Sequence, residues 1–426
     1  MYNNGSVIQE IQKRPFLRPL FFWIAGVLLQ VCFPLQAVSL VLPFFVVVML
    51  VLSFFLHKRN KDQFLFSNRW IWGCVCMCIV VFLAIQMTYL TELRLQHPAI
   101  SGFFLRKAQE VQAMMVERLS ALQLPDSNKS VLATLTVNYR EAMTKDLMNQ
   151  FSVTGVSHLL AVSGFHVGIV CAFVNTLLSF LPERKTLFRW IKYIVTMLCV
   201  WIFAYISGLT AASTRAAVML TIYMTGSLLR RHPDKYNTLA GAAFCMLVYN
   251  PFYLFDVGFQ LSYIAVFFIL YLQPRFSRLI EIRNPLIANP WNVLTVTVAA
   301  QIGTSFLCFY YFGQSSMVFL FTNLFLSLLA TLLIPTTLLW MILPEWMPGM
   351  DVLRILVEAI SRCMMWVVEH FSSIPGATLA VRFDFFTLIA SYLCLAFILT
   401  YFRLRHYWIL IAALVTLLII LCWHLI

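Results

Sequence analysis

Ser163 and His166 stand three residues apart in HLLAVSGFHVG, a spacing that brings two side chains together on one helix face. A hydroxyl beside an imidazole is the minimal apparatus of an activated nucleophile. The same spacing more often ties both groups to backbone or to a neighbouring helix. Three other stretches carry groups of comparable polarity. SGLTAASTRAA holds Ser207, Ser213 and Arg215, FDVGFQLS holds Asp256, Gln260 and Ser262, and Asn323 lies alone in an apolar run. His158 opens the first cluster. An arginine and free backbone amides near helix starts suit an anionic ligand. Asp256 would orient an imidazole, neutralise Arg215, or cap the helix beginning at Val257. The residues by themselves leave these readings open.

The elements that position these groups are lipid-embedded. Hydrophobic residues make up 61% of the 426-residue chain and charged ones 11%, and mean hydropathy is +0.85. Soluble domains carry roughly 45–50% apolar and about 25% charged residues, so water is not the solvent for most of this chain. Apolar runs fall near 20–33, 35–56, 70–90, 158–181, 191–208, 211–229, 236–254, 257–272, 291–312, 318–343, 385–402 and 407–426. The run 352–371 is more polar. The expected fold is all-α, a polytopic integral membrane helical bundle of about 11–13 transmembrane helices with a short helical extracytoplasmic segment. Lys13, Arg14 and Arg18 precede the first run, which reads as a retained signal anchor.

Basic residues set the orientation. With the N-terminus cytoplasmic, alternate loops collect most of the lysines and arginines; seven of the rest fall in the outside segment 91–157, and the short outside turns carry almost none. A net charge of +13 therefore follows largely from membrane orientation and says nothing about nucleic acid. Segment 91–157 is the sizeable polar stretch. It reads as two amphipathic helices broken at Pro125, the second running from 126 to 150, lying on the outer surface or packed on the spans. The eleven cysteines fall in apolar segments and read as packing residues; no metal or cofactor is expected.

On this topology His158, Ser163, His166, Ser207, Ser213, Arg215, Asp256, Gln260, Ser262 and Asn323 all gather at the outer membrane face. Polar groups within spans usually face a bundle interior or a water-filled cavity, so an outward vestibule is the expected construction. Gly164, Gly168, Gly208 and Gly258 would permit close helix approach. On 352–371, Arg354, Glu358 and Arg362 form a charged stripe, expected inside the bundle and lining a path.

In this order, the clusters resemble the competence region of the ComEC family, inner-membrane channels for DNA uptake in natural transformation. HLLAVSGFHVG matches an S-G-x-H-V core, and SGLTAASTRAAVM matches a G/S/R-A segment. FDVGFQLSYIA matches D-P-G-F-Q-L-S with Val257 in place of proline, NLFLSLLATLLIP matches an N…I-P segment, and IPGATLAV is similar to a later stretch. The resemblance implies inward transport of single-stranded DNA across the cytoplasmic membrane of a bacterium. It divides the chain into N-terminal transmembrane helices (1–90), the extracytoplasmic segment (91–157), a competence-type core (158–383) and C-terminal helices (384–426). Many members also carry an OB-type domain and a metallo-β-lactamase-like domain. Segment 91–157 is too short and helical for the first, and no H-x-H-x-D-H cluster marks the second. The chain is accordingly expected not to be an enzyme. A DNA receptor, a cytoplasmic helicase or translocase and a separate nuclease would be its partners, and homo-oligomers are compatible with the pattern. Two rivals stand: a transporter of another anionic solute, and a membrane hydrolase built on Ser163 and His166 with Asp256 as orienter.

Overall fold

The computed structural model describes residues 14–33, 69–96, 102–182, 185–229, 234–282, 284–344 and 346–425. The span expected at 35–56 lies outside the described residues. Two compact units interleave along the sequence. One comprises Met1–Glu110, Val174–Tyr205 and Leu209–Tyr263, and the other Val111–Phe173, Ile206–Gly208 and Ile264–Ile426.

Among the described residues the architecture is almost wholly helical. We number the helices α1 (Leu17–Cys32), α2 (Arg69–Gln96), α3 (Gly102–Leu119), α4 (Asp126–Val137), α5 (Lys145–Val153), α6 (Gly164–Leu177), α7 (Thr186–Ile206) and α8 (Ala211–Leu228). They continue as α9 (Lys235–Tyr249), α10 (Val257–Phe276), α11 (Pro285–Phe312), α12 (Phe319–Ile342), α13 (Met350–Ser372), α14 (Phe385–Leu404) and α15 (Tyr407–Leu425). Among the described residues, six helical segments are long and apolar enough to cross a membrane: Gly73–Arg94, Thr186–Ile206, Val257–Leu279, Ile287–Phe312, Phe319–Ile342 and Phe385–Leu404. Leu17–Cys32, Gly164–Phe180 and Tyr407–Trp423 are apolar but shorter.

In the first unit α1 lies on α2 and α9. A Cβ at Gly26 would come within 2.8 Å of both Ala84 Cβ and the Val81 carbonyl oxygen, so the bare glycine sets the α1–α2 approach. Trp23, Val27, Ala84, Leu247 and Phe259 fill the core beside it. The Trp23 indole donates to the Leu247 carbonyl at 3.2 Å, which gives a buried N–H its partner.

In the second unit α12 packs along α13 and α11, and α14 along α15. α12 is apolar all round: Leu326, Ala330, Leu333 and Ile334 are buried, while Phe321, Leu328 and Leu332 are exposed, as suits a helix with protein on one side and lipid on the other. Residues Gln314–Ser316 and Thr378–Ala380 form a two-stranded antiparallel ribbon, β1 and β2, in the register Ser315 to Leu379. Gly155, at φ +76°, lies against β1; a Cβ there would meet Ser316 and Phe319 Cβ atoms at 2.7 Å.

Two expected helices are redrawn. The run 158–181 begins as a 3-10 turn, Ser157–Leu159, and becomes α-helical only at Gly164. The helix expected over 126–150 is two. Asn138 adopts the left-handed conformation at φ 58° and ends α4, and Thr144 caps α5 by accepting from the Leu147 N–H at 3.3 Å. α4 is packed on spans rather than lying free: Asn128, Ser130 and every residue from 131 to 137 are buried, against α12 and α13.

The α14–α15 hairpin is tied at Asp384, which caps α14 through the Thr387 N–H at 3.1 Å and accepts from the Trp423 indole at 3.2 Å. The Thr387 hydroxyl contributes most to holding this carboxyl below its ordinary value of 3.8, with Trp423 adding to it.

Two predictions follow from these contacts. Gly26→Leu should destabilise the detergent-solubilised chain by about 1–3 kcal/mol through overpacking, seen as a lower melting temperature. Gly73→Leu, where a Cβ meets nothing within 4 Å, should leave melting unchanged. Because the folded Asp384 carboxyl titrates below the unfolded one, its contribution is complete above 3.8 and disappears as pH falls through the folded value. Melting temperature should therefore fall less steeply in that acid range for Asp384→Asn than for wild type.

Candidate functional site

The ten residues expected to line a vestibule fall into two groups, one in each unit. In the first unit the group is built around Arg215, on the second turn of α8. Thr210 caps that helix, its hydroxyl accepting from the Ser213 N–H at 3.3 Å and lying 2.9 Å from the Ser213 hydroxyl. Ser213 is thus occupied in shaping the helix start. Arg215 is 4% exposed. Its Nη2 donates to Ser262 Oγ at 3.1 Å, and its Nη1 lies 3.6 Å from Asp256 Oδ1. Nε has no hydrogen-bond partner among the described residues.

The stretch FDVGFQLS is arranged around this guanidinium. Asp256 Oδ1 accepts the Phe259 N–H at 2.7 Å, capping α10 while facing Arg215. Gly258 makes room: a Cβ there would lie 3.2 Å from Asp256 Oδ1 and 3.3 Å from Arg215 Nη2. Gln260 Nε2 donates back to the Leu254 carbonyl at 3.0 Å, fixing the turn before α10. Ser262 Oγ donates to the Gly258 carbonyl at 2.6 Å, which leaves its lone pairs to receive Arg215. Behind these, Phe259 packs on Tyr263 with ring centroids 4.3 Å apart and planes tilted by 35°. The cap and the ion pair, both weighed from sequence, are the same carboxylate.

The pair is not sealed. Arg215 is buried, yet the Asp256 side chain is 46% exposed. A buried cation whose anion reaches solvent, with a donor still unspent, is chemically able to exchange one oxyanion for another.

The second unit holds His158, Ser163, His166, Ser207 and Asn323. Ser163 stands at the start of α6, and both its N–H, at 3.3 Å, and its hydroxyl, at 3.1 Å, face His166 Nδ1. A side chain three residues into a helix that accepts the N-cap N–H is the second half of a capping box. His166 is 0% exposed, and its Nε2 has no hydrogen-bond partner among the described residues. The ring's other neighbours are His158 and the Leu159 backbone, while Asp256, the orienter weighed from sequence, faces Arg215 instead. The contact of Ser163 with His166 Nδ1 caps the helix, in keeping with α6 starting at Gly164 and not at His158. His158 itself is exposed, beside the Asn323 side chain and the Gly155 backbone. Asn323 Nδ2 donates to Thr297 Oγ1 at 2.6 Å. Ser207 is buried at the end of α7.

Of the four glycines expected to allow close approach, Gly258 does so, while Gly168 has nothing within 4 Å and Gly208 meets only Gln112 Nε2 at 3.9 Å. The charged stripe of α13 is not turned into the packed seam. That seam takes Val357, Met364 and Val368, whereas Arg354 pairs with Asp351 and Arg362 with Glu358, each at 3.5 Å. Arg362 Nη2 also donates to the Gln123 carbonyl, and the Gln123 N–H donates to Glu358 Oε1, both at 2.8 Å. Thr210, Gly155 and Gln123 carry roles that sequence reasoning missed. Only Thr210, a capping residue before a helical run, leaves a local signal.

A family profile described as Competence protein matches residues 135–406, a range containing both groups. ComE operon protein 3 of Bacillus subtilis is 29% identical over 195 residues, 46% of this chain and 24% of that protein. Recombination protein 2 of Haemophilus influenzae is 25% identical over 169 residues, 38% of this chain and 21% of its own length. The aligned stretches thus span about a quarter of these curated relatives. No solved structure matches the chain.

Substitution separates the two duties of Asp256. Asp256→Asn keeps an acceptor for the Phe259 N–H and removes the charge, whereas Asp256→Ala removes both. The alanine variant should be less stable than the asparagine variant by about 1 kcal/mol, the usual worth of an N-cap, in thermal melts of purified protein.

Proposed function

The chain belongs to the competence protein family, and on that premise we propose that it conducts single-stranded DNA inward across the cytoplasmic membrane during natural transformation. The extent of the family match carries this reading: residues 135–406 include every polar side chain of the two groups. In this reading the chain is a multi-pass protein of a bacterial inner membrane with a cytoplasmic N-terminus. It acts as a conduit and not as an enzyme, so a DNA receptor, a cytoplasmic helicase or translocase and a nuclease are separate partners. More than one copy of the chain is compatible with the same role.

Chemistry supports the assignment in two ways. A DNA strand carries a phosphate at every nucleotide, so a conduit needs few cationic contacts, each able to let go. Arg215 answers that description: a phosphate arriving on the Asp256 side would meet a guanidinium already balanced by a displaceable carboxylate. His158, exposed beside Asn323, supplies polar edges to a passing strand. The same exchangeable cation favours transport of another anionic solute as the second reading. Hydrolysis by Ser163 and His166 is disfavoured, since the imidazole is spent on a helix cap and Asp256, the carboxylate weighed as its orienter, faces Arg215 instead.

The test is uptake of labelled DNA into a transformable strain lacking its own copy of this gene. Wild type should restore internalised DNA. At equal membrane levels Arg215→Glu should lower it by more than an order of magnitude, because it sets two carboxylates face to face. Ser163→Ala should keep most of it. If wild type restores nothing while surface DNA binding and the partners are intact, DNA is not the solute. If Ser163→Ala abolishes the function and Arg215→Glu does not, the hydrolase reading replaces it.

A further inference from the structure

Segment 91–157 reads as extracytoplasmic from hydropathy, but its contacts with α12 span the length of that helix. Near the start of α12, Thr322 Oγ1 donates to the Thr154 carbonyl at 2.6 Å. At its far end Arg118 donates to the carbonyls of Met341 and Leu343, the latter at 2.9 Å, and its guanidinium sits 5.9 Å from the Trp340 ring. Thr322 and Met341 are separated by roughly 28 Å of helix at about 1.5 Å per residue. That is close to the ~30 Å thickness of a hydrocarbon core. α12 is long and apolar enough to cross one. If it crosses, Arg118 and Thr154 lie near opposite faces of the membrane.

The connecting chain is held as a crossing element would need to be. Arg118 satisfies terminal carbonyls of α12 that have no partner within the helix. Gln123, in the 119–125 link, is clasped through its own N–H and C=O by Glu358 and Arg362. α4 then returns along α12 and α13 with Asn128 Nδ2 on Ser361 Oγ at 3.3 Å. The hydroxyls of Ser130, Thr134 and Thr136 each bond a carbonyl four residues back, at 2.7 Å. Every one of these groups would be costly against lipid. Irregular backbone at membrane depth is tolerated where protein buries it or water lines it.

We propose that residues 102–153 enter the membrane: α3 descends, the 119–125 link turns against the far end of α12, and α4 and α5 return to the starting face. Two added passes leave the side of every later loop unchanged, so the basic loops keep their orientation. The proposal also gives α3 a task. Its exposed residues include Arg106, Lys107, Gln109, Glu110 and Glu117, and a charged face at that depth borders water rather than acyl chains. α3 is thereby a wall of an aqueous path, whatever solute uses it.

Vectorial thiol labelling tests this. Ser120→Cys in the link and Glu141→Cys between α4 and α5 are both at exposed positions. Each is placed in the full chain and treated with a bulky polyethylene-glycol maleimide, in right-side-out and in inside-out membrane vesicles. The mass shift of wild type gives the background from native cysteines. The two positions should react in opposite vesicle orientations, each by at least an order of magnitude over the other orientation. Reaction of both in the same orientation overturns the proposal. Ala121→Cys and Arg140→Cys form a second pair should either first variant fail to accumulate. Neither result depends on DNA being the solute, so this test and the uptake test fail separately.

Discussion

Hydrocarbon offers no hydrogen bonds, so each polar group this chain carries into the membrane must find its partner within the protein. The helices show the simplest answer: Thr88, Thr297, Thr331 and Thr336 each return a hydroxyl to the carbonyl four residues earlier. The same demand acts on larger features. Asp256, Asp384 and Thr210 spend side chains on helix starts, Trp23 reaches a carbonyl across the α1–α9 contact, and Arg118 closes the end of α12. Polarity in this chain is mostly structural upkeep, and a functional group is recognised by what it leaves unspent.

By that measure Arg215 and His166 differ, although both are buried and both belong to recognisable stretches. Desolvating a guanidinium costs several kcal/mol unless partners repay it. Here repayment is partial: one hydroxyl, one carboxylate at ion-pair distance, and an unused donor. The half-exposed Asp256 keeps the pair in touch with solvent and therefore adjustable. His166 is the opposite case. Its Nδ1 is committed to the start of α6 and its ring is enclosed, so its proximity to Ser163 has a conformational purpose.

The α13 stripe shows the same economy. Charges that would be a liability in a span are paired within the helix, and one of the two pairs also grips the backbone of the 119–125 link. Glu358 and Arg362 thus act as a clamp on Gln123, and the apolar face opposite remains free to pack on α12. Part of the charged stripe holds a neighbouring segment in place.

Much of this was legible in the residues alone. Apolar run length marks the long helices because a bilayer imposes a length, and α1, α8, α10 and α12 through α15 begin and end within four positions of the runs. The resemblance carried by HLLAVSGFHVG, SGLTAASTRAAVM and FDVGFQLSYIA held because those stretches pack chemistry at fixed local spacing, and capping of α10 by Asp256 was readable for the same reason. What the residues could not decide was partnership across sequence. That Arg215 meets Ser262 and Asp256, that α4 is buried on α12 and α13, and that Glu358 and Arg362 hold Gln123 depend on contacts between distant segments. Hydropathy assigns each residue a preference for lipid or water. Only the tertiary structure determines which polar groups satisfy one another, and hence which polar segments can leave water.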